Sequence, residues 1–282
     1  MKPSARFPNK APNPGVYYGV PADEYHSWSA VSSSMLKAMA SGPKACRHFL
    51  DKPGQLPTAV MRFGTAVGAA LFEPEVYAAA TEIEGLGPKA KPETFAKHAK
   101  EHGPIVLASG WRQEIADIIA EVERMPEAAE LADGGRAEVS VVWDETTISG
   151  RQIRCKSRID YCQPSRMVEC KWTGKLADFE NHAWRMNYHI QVAHELVAWA
   201  FADSRDAFFG TSDPEVAMLV LSSGPPVDVV PFYPDADWID SGDLARARLL
   251  DKIAECLETD TWPGVARESR RTLGKPRWAR EA

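Results

Sequence analysis

The chain contains no uncharged apolar run long enough to span a bilayer, which excludes a helical membrane protein of the usual kind. Met1-Lys2-Pro3-Ser4-Ala5-Arg6-Phe7-Pro8 has no apolar h-region, so no secretory leader is expected. Cysteine is sparse and odd in number: Cys46, Cys155, Cys162, Cys170 and Cys256. Five cysteines without tight pairing do not make a disulfide framework, and a cytoplasmic protein with reduced thiols is expected. An excess of basic charge is also missing. The 33 Lys and Arg against 39 Asp and Glu leave a formal net charge of -6. That argues against a protein that coats nucleic acid, but not against an enzyme with a local basic track, because the field near a site matters more than the sum. No internal repeat is present.

With 44% hydrophobic and 26% charged residues the composition is that of a globular protein. Residues 1–22 are rich in Pro, Lys and Asn and suggest a flexible arm. Residues 23–282 then form one domain. Ser32-Ser33-Ser34 before Met35, Leu36 and Met39 suggests a Ser-capped amphipathic helix, and Lys44 to Leu50 a second. Thr65 to Leu71 suggests a buried helix. The polar stretch from Glu82 to Gly103 suggests a mobile surface excursion. Trp111 to Met125 carries Ile115, Ile118, Ile119 and Val122 at helical spacing. The period then changes to two over Glu138–Trp143 and Ile153–Tyr161, with a turn between and a short third strand at Arg166–Trp172. One long helix is expected over Leu176–Phe201, strands at Ala217–Leu221 and Val227–Tyr233, and a last helix over Ser241–Leu257. This order predicts an α/β fold with a central mixed sheet flanked by helices.

The chemistry concentrates in Ser157-Arg158-Ile159-Asp160 and Arg166-Met167-Val168-Glu169-Cys170-Lys171. Glu169 and Lys171 stand two apart on a strand and therefore share a face. A hairpin brings Asp160 toward them. Two carboxylates supply hard oxygen ligands for Mg²⁺ or Mn²⁺, and a neighbouring ammonium suits the charge that develops on a phosphate during hydrolysis. Such a pattern alone is weak; two solvated ion-pairing residues have the same spelling. Tyr188 and Gln191, three apart on the following helix, share a face that turns toward the same place. Arg151, Arg154, Lys156 and Arg158 on one strand offer either a phosphate-facing track or a solvated face. Trp111, Trp143, Trp184 and Trp199 are expected in the core. Trp172, beside Lys171, is a candidate stacking surface. His194-Glu195 begins a zinc-protease spelling, but the closing position holds Ala198, so zinc is not expected.

Taken in order, Tyr25-His26, Ser32, Ser34 and Leu36, Phe63-Gly64-Thr65-Ala66, Glu73-Pro74, Ala137-Glu138, Arg158 with Asp160, Glu169-Cys170-Lys171, Tyr188-His189-Ile190-Gln191 and Pro276-Arg277-Trp278-Ala279 form a series. The series resembles the PD-(D/E)XK nuclease superfamily, and within it the exodeoxyribonuclease VIII (RecE-like) exonucleases of phages and prophages. The resemblance implies digestion of linear duplex DNA from an end, usually by a ring-shaped homo-oligomer, in recombination or repair beside a single-strand annealing protein. It implies Asp160 and Glu169 as ligands of Mg²⁺ or Mn²⁺, with Glu138 as an extra carboxylate. Lys171 becomes the catalytic lysine, and Gln191 and Tyr188 line the site. Ser32 and Ser34 become candidates to hold a terminal phosphate, and Arg158 to contact DNA. Some members hold an iron–sulfur cluster through one early and three late cysteines; here Cys256 is alone near the end, so none is expected. The chain departs from the pattern at Gly68, where the family usually has a metal-contacting His. That leaves two alternatives: a weakly active or non-catalytic relative that binds DNA ends, and a nuclease with a different DNA substrate.

Overall fold

A computed structural model describes residues 1–174, 176–222 and 226–264. The basic tail from Arg267 to Arg280, including Pro276-Arg277-Trp278-Ala279, lies outside the described residues, as do Ser223, Gly224 and Pro225 of one expected turn. The chain opens with β1 (Asn9–Lys10), β2 (Gly15–Tyr17), α1 (Ala22–Ser27), β3 (Trp28–Ser29), α2 (Ser33–Ala40) and α3 (Pro43–Asp51). A mostly helical stretch follows: α4 (Ala59–Phe72), α5 (Pro74–Ala78), β4 (Thr81–Glu82), α6 (Pro92–His102), β5 (Val106–Leu107), α7 (Trp111–Arg124) and α8 (Pro126–Leu131). The long strands β6 (Arg136–Thr146), β7 (Gln152–Gln163) and β8 (Arg166–Thr173) come next. They are followed by α9 (Phe179–Arg185), α10 (Tyr188–Asp203), β9 (Glu215–Ser222), β10 (Val229–Phe232) and α11 (Ala236–Thr259).

Six strands make the central sheet in the order β10-β9-β8-β7-β6-β2. All neighbours are antiparallel except β8 and β9, which α9 and α10 connect as a parallel crossover. Both faces are covered, so the inner strands are apolar on both sides rather than alternating with water. On β9, Val216, Met218 and Val220 join one core with α2, α3, α10 and α11; Ala217, Leu219 and Leu221 join the other with α4, α6, α7 and α8. On β8, Met167 belongs to the first core and Val168, Cys170 and Trp172 pack on the second. The pleat therefore turns Glu169 and Lys171 toward the side of α2 and α10.

The ladder between β7 and β8 is short. Tyr161, Cys162 and Gln163 pair with Val168, Met167 and Arg166, and then the strands separate at Asp160 and Glu169. The Cys170 N–H freed by this separation donates to Asp160 Oδ2 at 3.1 Å, so a side-chain carboxylate replaces a backbone acceptor. On the β7 side, the edge is taken by the chain entering α2. Val31 N donates to Arg154 O at 2.9 Å and Lys156 N to Val31 O at 2.8 Å. The gap in the sheet is thus filled from the N-terminal region, and α2 is delivered to its rim.

Several sequence expectations change. Residues 1–22 are packed: Phe7 and Ala11 are buried, β2 pairs with β6, and Arg6 N donates to Leu50 O at 3.1 Å. Tyr17 meets Trp28 edge-on at 5.8 Å, an anchor hidden in a Pro-rich composition. The stretch from Glu82 to Gly103 is built rather than loose. It contains α6, whose Phe95 is fully buried and stacks on Trp111 at 5.4 Å. The helix expected over Leu176–Phe201 is broken. A 3₁₀ turn at Leu176–Asp178 leads into α9, and Asn187, at φ 56°, separates α9 from α10. Asn adopts this left-handed conformation more cheaply than most residues because its short side chain clashes little. Trp184 is about half exposed and stacks on His189 at 4.2 Å instead of entering the core. The predicted Ser32 cap forms only through its backbone; its side chain makes no capping hydrogen bond.

Candidate functional site

The opening between β7 and β8 gathers charged groups from four elements. From β8, Lys171 Nζ lies 2.5 Å from Glu169 Oε2 and 3.5 Å from Asp160 Oδ2 on β7. From α10, Gln191 Nε2 donates to Glu169 Oε2 at 2.8 Å and to Glu195 Oε1 at 2.9 Å. From α2, Lys37 Nζ donates to Gln191 Oε1 at 2.8 Å. Carboxylates on the amide nitrogen and an ammonium on the amide oxygen leave one sensible orientation for the Gln191 side chain. Tyr188, opening α10, presents its ring to both lysines, 5.5 Å from Lys37 Nζ and 5.3 Å from Lys171 Nζ. The Asn187 break allows α10 to start there, so that Tyr188, Gln191 and Glu195 fall one turn apart along the inner face.

Burial grades across the cluster. The Asp160 side chain is one-third exposed, that of Lys171 about one-tenth, and that of Glu169 not at all. Burial, with the charge of Asp160 added, pushes the Glu169 carboxyl above the ordinary range, against the pull of Lys171. Glu195 is pushed well up by burial and then by Glu169. Burial alone would lower Lys171, but Glu169 and Asp160 outweigh it and hold the ammonium firmly charged. Lys37 is lowered, first by burial and then by Lys171. One oxygen of each deep carboxyl, Glu169 Oε1 and Glu195 Oε2, receives no hydrogen bond from any residue outside this pair; the two carboxyls face each other as a hydrogen-bonded pair. Such oxygens are costly in a buried site and suit a hard cation, which prefers carboxylate oxygen.

The other sequence candidates lie around this cluster. Glu138 is bound by the Arg158 guanidinium rather than by Lys171, and its backbone stands at φ 54°. Asp160 and Glu73 add negative charge near it. Arg158 also donates to Val20 O at 2.8 Å, so its Nε and Nη1 are both engaged within the fold. Ser34 is exposed one turn before Lys37, and Ser32 is buried. Gly68 lies on α4, and a Cβ built there meets nothing within 4 Å, so close packing does not explain the glycine. Trp172 packs on Phe63 at 4.8 Å rather than standing free. The supposed track on β7 is neutralised: Arg151 pairs with Glu258, Arg154 with Asp144, and Lys156 is buried. Among the described residues, three potential ligand atoms fall within 4.8 Å of one another at His98, Glu101 and His102, on the outer part of α6.

Two members of the cluster escaped the sequence reading. Glu195 sits in an apolar run and was read only as part of a failed zinc spelling. Its spacing of four from Gln191 was the available signal. Lys37 lies three after Ser34, which places both on one face of α2.

No protein-family model matches the sequence, and no curated protein is significantly similar to it. Among solved structures, the chain resembles the crystal structure of a putative exonuclease from Eubacterium rectale, with a TM-score of 0.59 and 13% sequence identity. The match covers 92% of this chain and 96% of that one. The likeness is therefore one of fold across nearly the whole of both chains: a mixed α/β architecture with a central six-stranded sheet flanked by helices.

Proposed function

We propose that this chain is a metal-dependent deoxyribonuclease that digests linear duplex DNA from an end by phosphodiester hydrolysis. The observation that carries the reading is the grouping of Asp160, Glu169, Lys171 and Gln191 where β7 and β8 separate. Asp160 and Glu169 hold the cation, Mg²⁺ or Mn²⁺, for which Glu169 Oε1 is a fitting donor. When bound, the cation supplies charge stabilisation at the scissile phosphate and acidifies the attacking water. Lys171 keeps its proton at neutral pH and offsets charge that develops on the phosphate. Gln191 fixes the relative positions of Glu169 and Lys37, and the Tyr188 ring lies near both ammonium groups. Ser34, on the exposed first turn of α2, contacts the terminal phosphate; Arg158, already occupied, acts by holding Glu138.

The likeness in fold to a putative exonuclease supports a nuclease, and the ordered sequence marks are what point to DNA as the substrate. A role in recombination beside an annealing partner, and assembly into a ring, rest on the sequence resemblance alone. The test is digestion of end-labelled linear duplex and of closed circular DNA with Mg²⁺, Mn²⁺ or EDTA, beside Lys171→Ala. Metal-dependent loss of the linear DNA alone, absent in the variant, is the expected result. Cleavage of the circle replaces the exonuclease reading with an endonuclease. Binding of linear DNA without cleavage replaces it with an end-binding protein, for which the absent side chain at Gly68 offers a reason.

A further inference from the structure

We propose that Glu195, on α10, is a direct ligand of the divalent cation, sharing it with Glu169. The inference rests on the metal-dependent reading of the same site and extends it to a residue outside the sequence pattern.

Three carboxylates, Asp160, Glu169 and Glu195, meet two ammonium groups, Lys37 and Lys171, so the cluster lacks positive charge when all are ionised. The deficit lies at the buried end. Glu195 is 1% exposed and Glu169 0%. Glu169 Oε2 accepts from both Lys171 and Gln191, whereas nothing outside the two glutamates donates to Glu169 Oε1. Glu195 Oε1 accepts from Gln191, whereas Glu195 Oε2 has no donor from any residue outside this pair, and the two carboxyls lie close enough to interact as a hydrogen-bonded pair. These two oxygens thus belong to carboxyls held on a single amide nitrogen, one from the sheet and one from the helix. A side chain whose purpose was to brace Gln191 needs one acceptor atom, and a neutral Gln would be cheaper in that position. Two buried carboxyls brought against one another, with no donor from another residue for their second oxygens, form a pair that a hard cation can bridge in place of a shared proton. Gln191, bonded to both glutamates and to Lys37, is the bracket that sets their spacing.

The test is Mn²⁺ binding to the full chain without DNA, by electron paramagnetic resonance and by calorimetry, for the wild type and Glu195→Gln. Gln keeps the shape and the oxygen that Gln191 addresses, so a bracing role survives the change and a ligand role does not. Binding is expected to weaken at least about tenfold, with the rise in Tm on adding Mn²⁺ lost and the metal-free Tm unchanged or higher. Mn²⁺ affinity of Glu195→Gln within about twofold of wild type overturns the proposal, whatever the activity. If the wild type binds Mn²⁺ through Glu195 yet leaves linear DNA intact, the ligand assignment stands and the nuclease reading falls. If DNA is cut with metal and Glu195→Gln binds Mn²⁺ normally, the reverse holds. Failure of the wild type to bind Mn²⁺ overturns both.

Discussion

Two groups of buried charge meet the central sheet, and they are built differently. Around Lys156 every demand is met. Its ammonium donates to Tyr25 O and Trp28 O, both at 2.8 Å, and lies over the rings of Phe7 and Tyr25 at 4.4 and 4.7 Å. The Lys156 carbonyl accepts from His194 Nε2 at 3.1 Å; His194 Nδ1 meets Arg246 at 3.3 Å, and Arg246 pairs with Glu145. Around Glu169, the second oxygens of two carboxyls have only each other's carboxyl to face and no donor from another residue. A closed network rigidifies the fold; an open one stores an affinity for something not yet bound. Incomplete satisfaction, rather than charge or burial, separates the candidate site from the staple that ties the N-terminal region to β7.

The largest expected effect breaks function without breaking the fold. Asp160→Asn retains an acceptor for Cys170 N–H but loses the anion, so metal-dependent DNA cleavage falls roughly a thousandfold, with the urea midpoint almost unchanged. The converse holds at the staple. Lys156→Ala removes one hydrogen bond from each of two carbonyls, which keep their backbone donors, and opens a cavity beside Phe7 and Tyr25; it is expected to cost about 3 kcal/mol of unfolding free energy, read by urea denaturation. Gly242→Ala tests the packing that seats α10. A Cβ there would lie 2.2 Å from His189 O, and the forced shift is expected to cost about 2 kcal/mol.

A smaller effect is a pH dependence. Burial, with Arg6 adding to it, pushes Lys156 down to about 7 from an ordinary 10.5. Between those values the unfolded chain binds more protons than the folded one, so this residue makes stability rise with pH across that window. Below about 7 its penalty is present in full. Lys156→Met should flatten that slope in denaturation curves taken from pH 7 to 10; an unchanged slope would show that Lys156 stays charged. The smallest expected change is at Gly68. Ala there meets no neighbour and suits a helix better, raising stability by about 1 kcal/mol in thermal or urea unfolding.

The proximity of Asp160, Glu169, Lys171, Tyr188 and Gln191 was legible because strand and helix periods place side chains on faces. Their chemical roles are the proposal. Lys37 and Glu195 were not legible, since nothing local says that α2 reaches the rim of the sheet or that one polar residue in an apolar helix faces a carboxylate. The N-terminal segment and the stretch around Phe95 were misread for one reason. Composition averages over a segment, while one or two aromatics decide whether it docks.

By itself, then, the sequence determined the two periods, the strand–helix–strand order after Glu169, and the placing of Glu169 and Lys171 on one face, all of which follow from short-range geometry. Only the tertiary structure decided where β7 and β8 part, which segment fills the opening, and which basic side chains are already occupied. Those outcomes depend on contacts between residues far apart in the chain: Val31 on β7, Lys37 on Gln191, Arg158 on Glu138. A buried carboxylate oxygen is left open only when all its neighbours have been placed, and no local pattern records that.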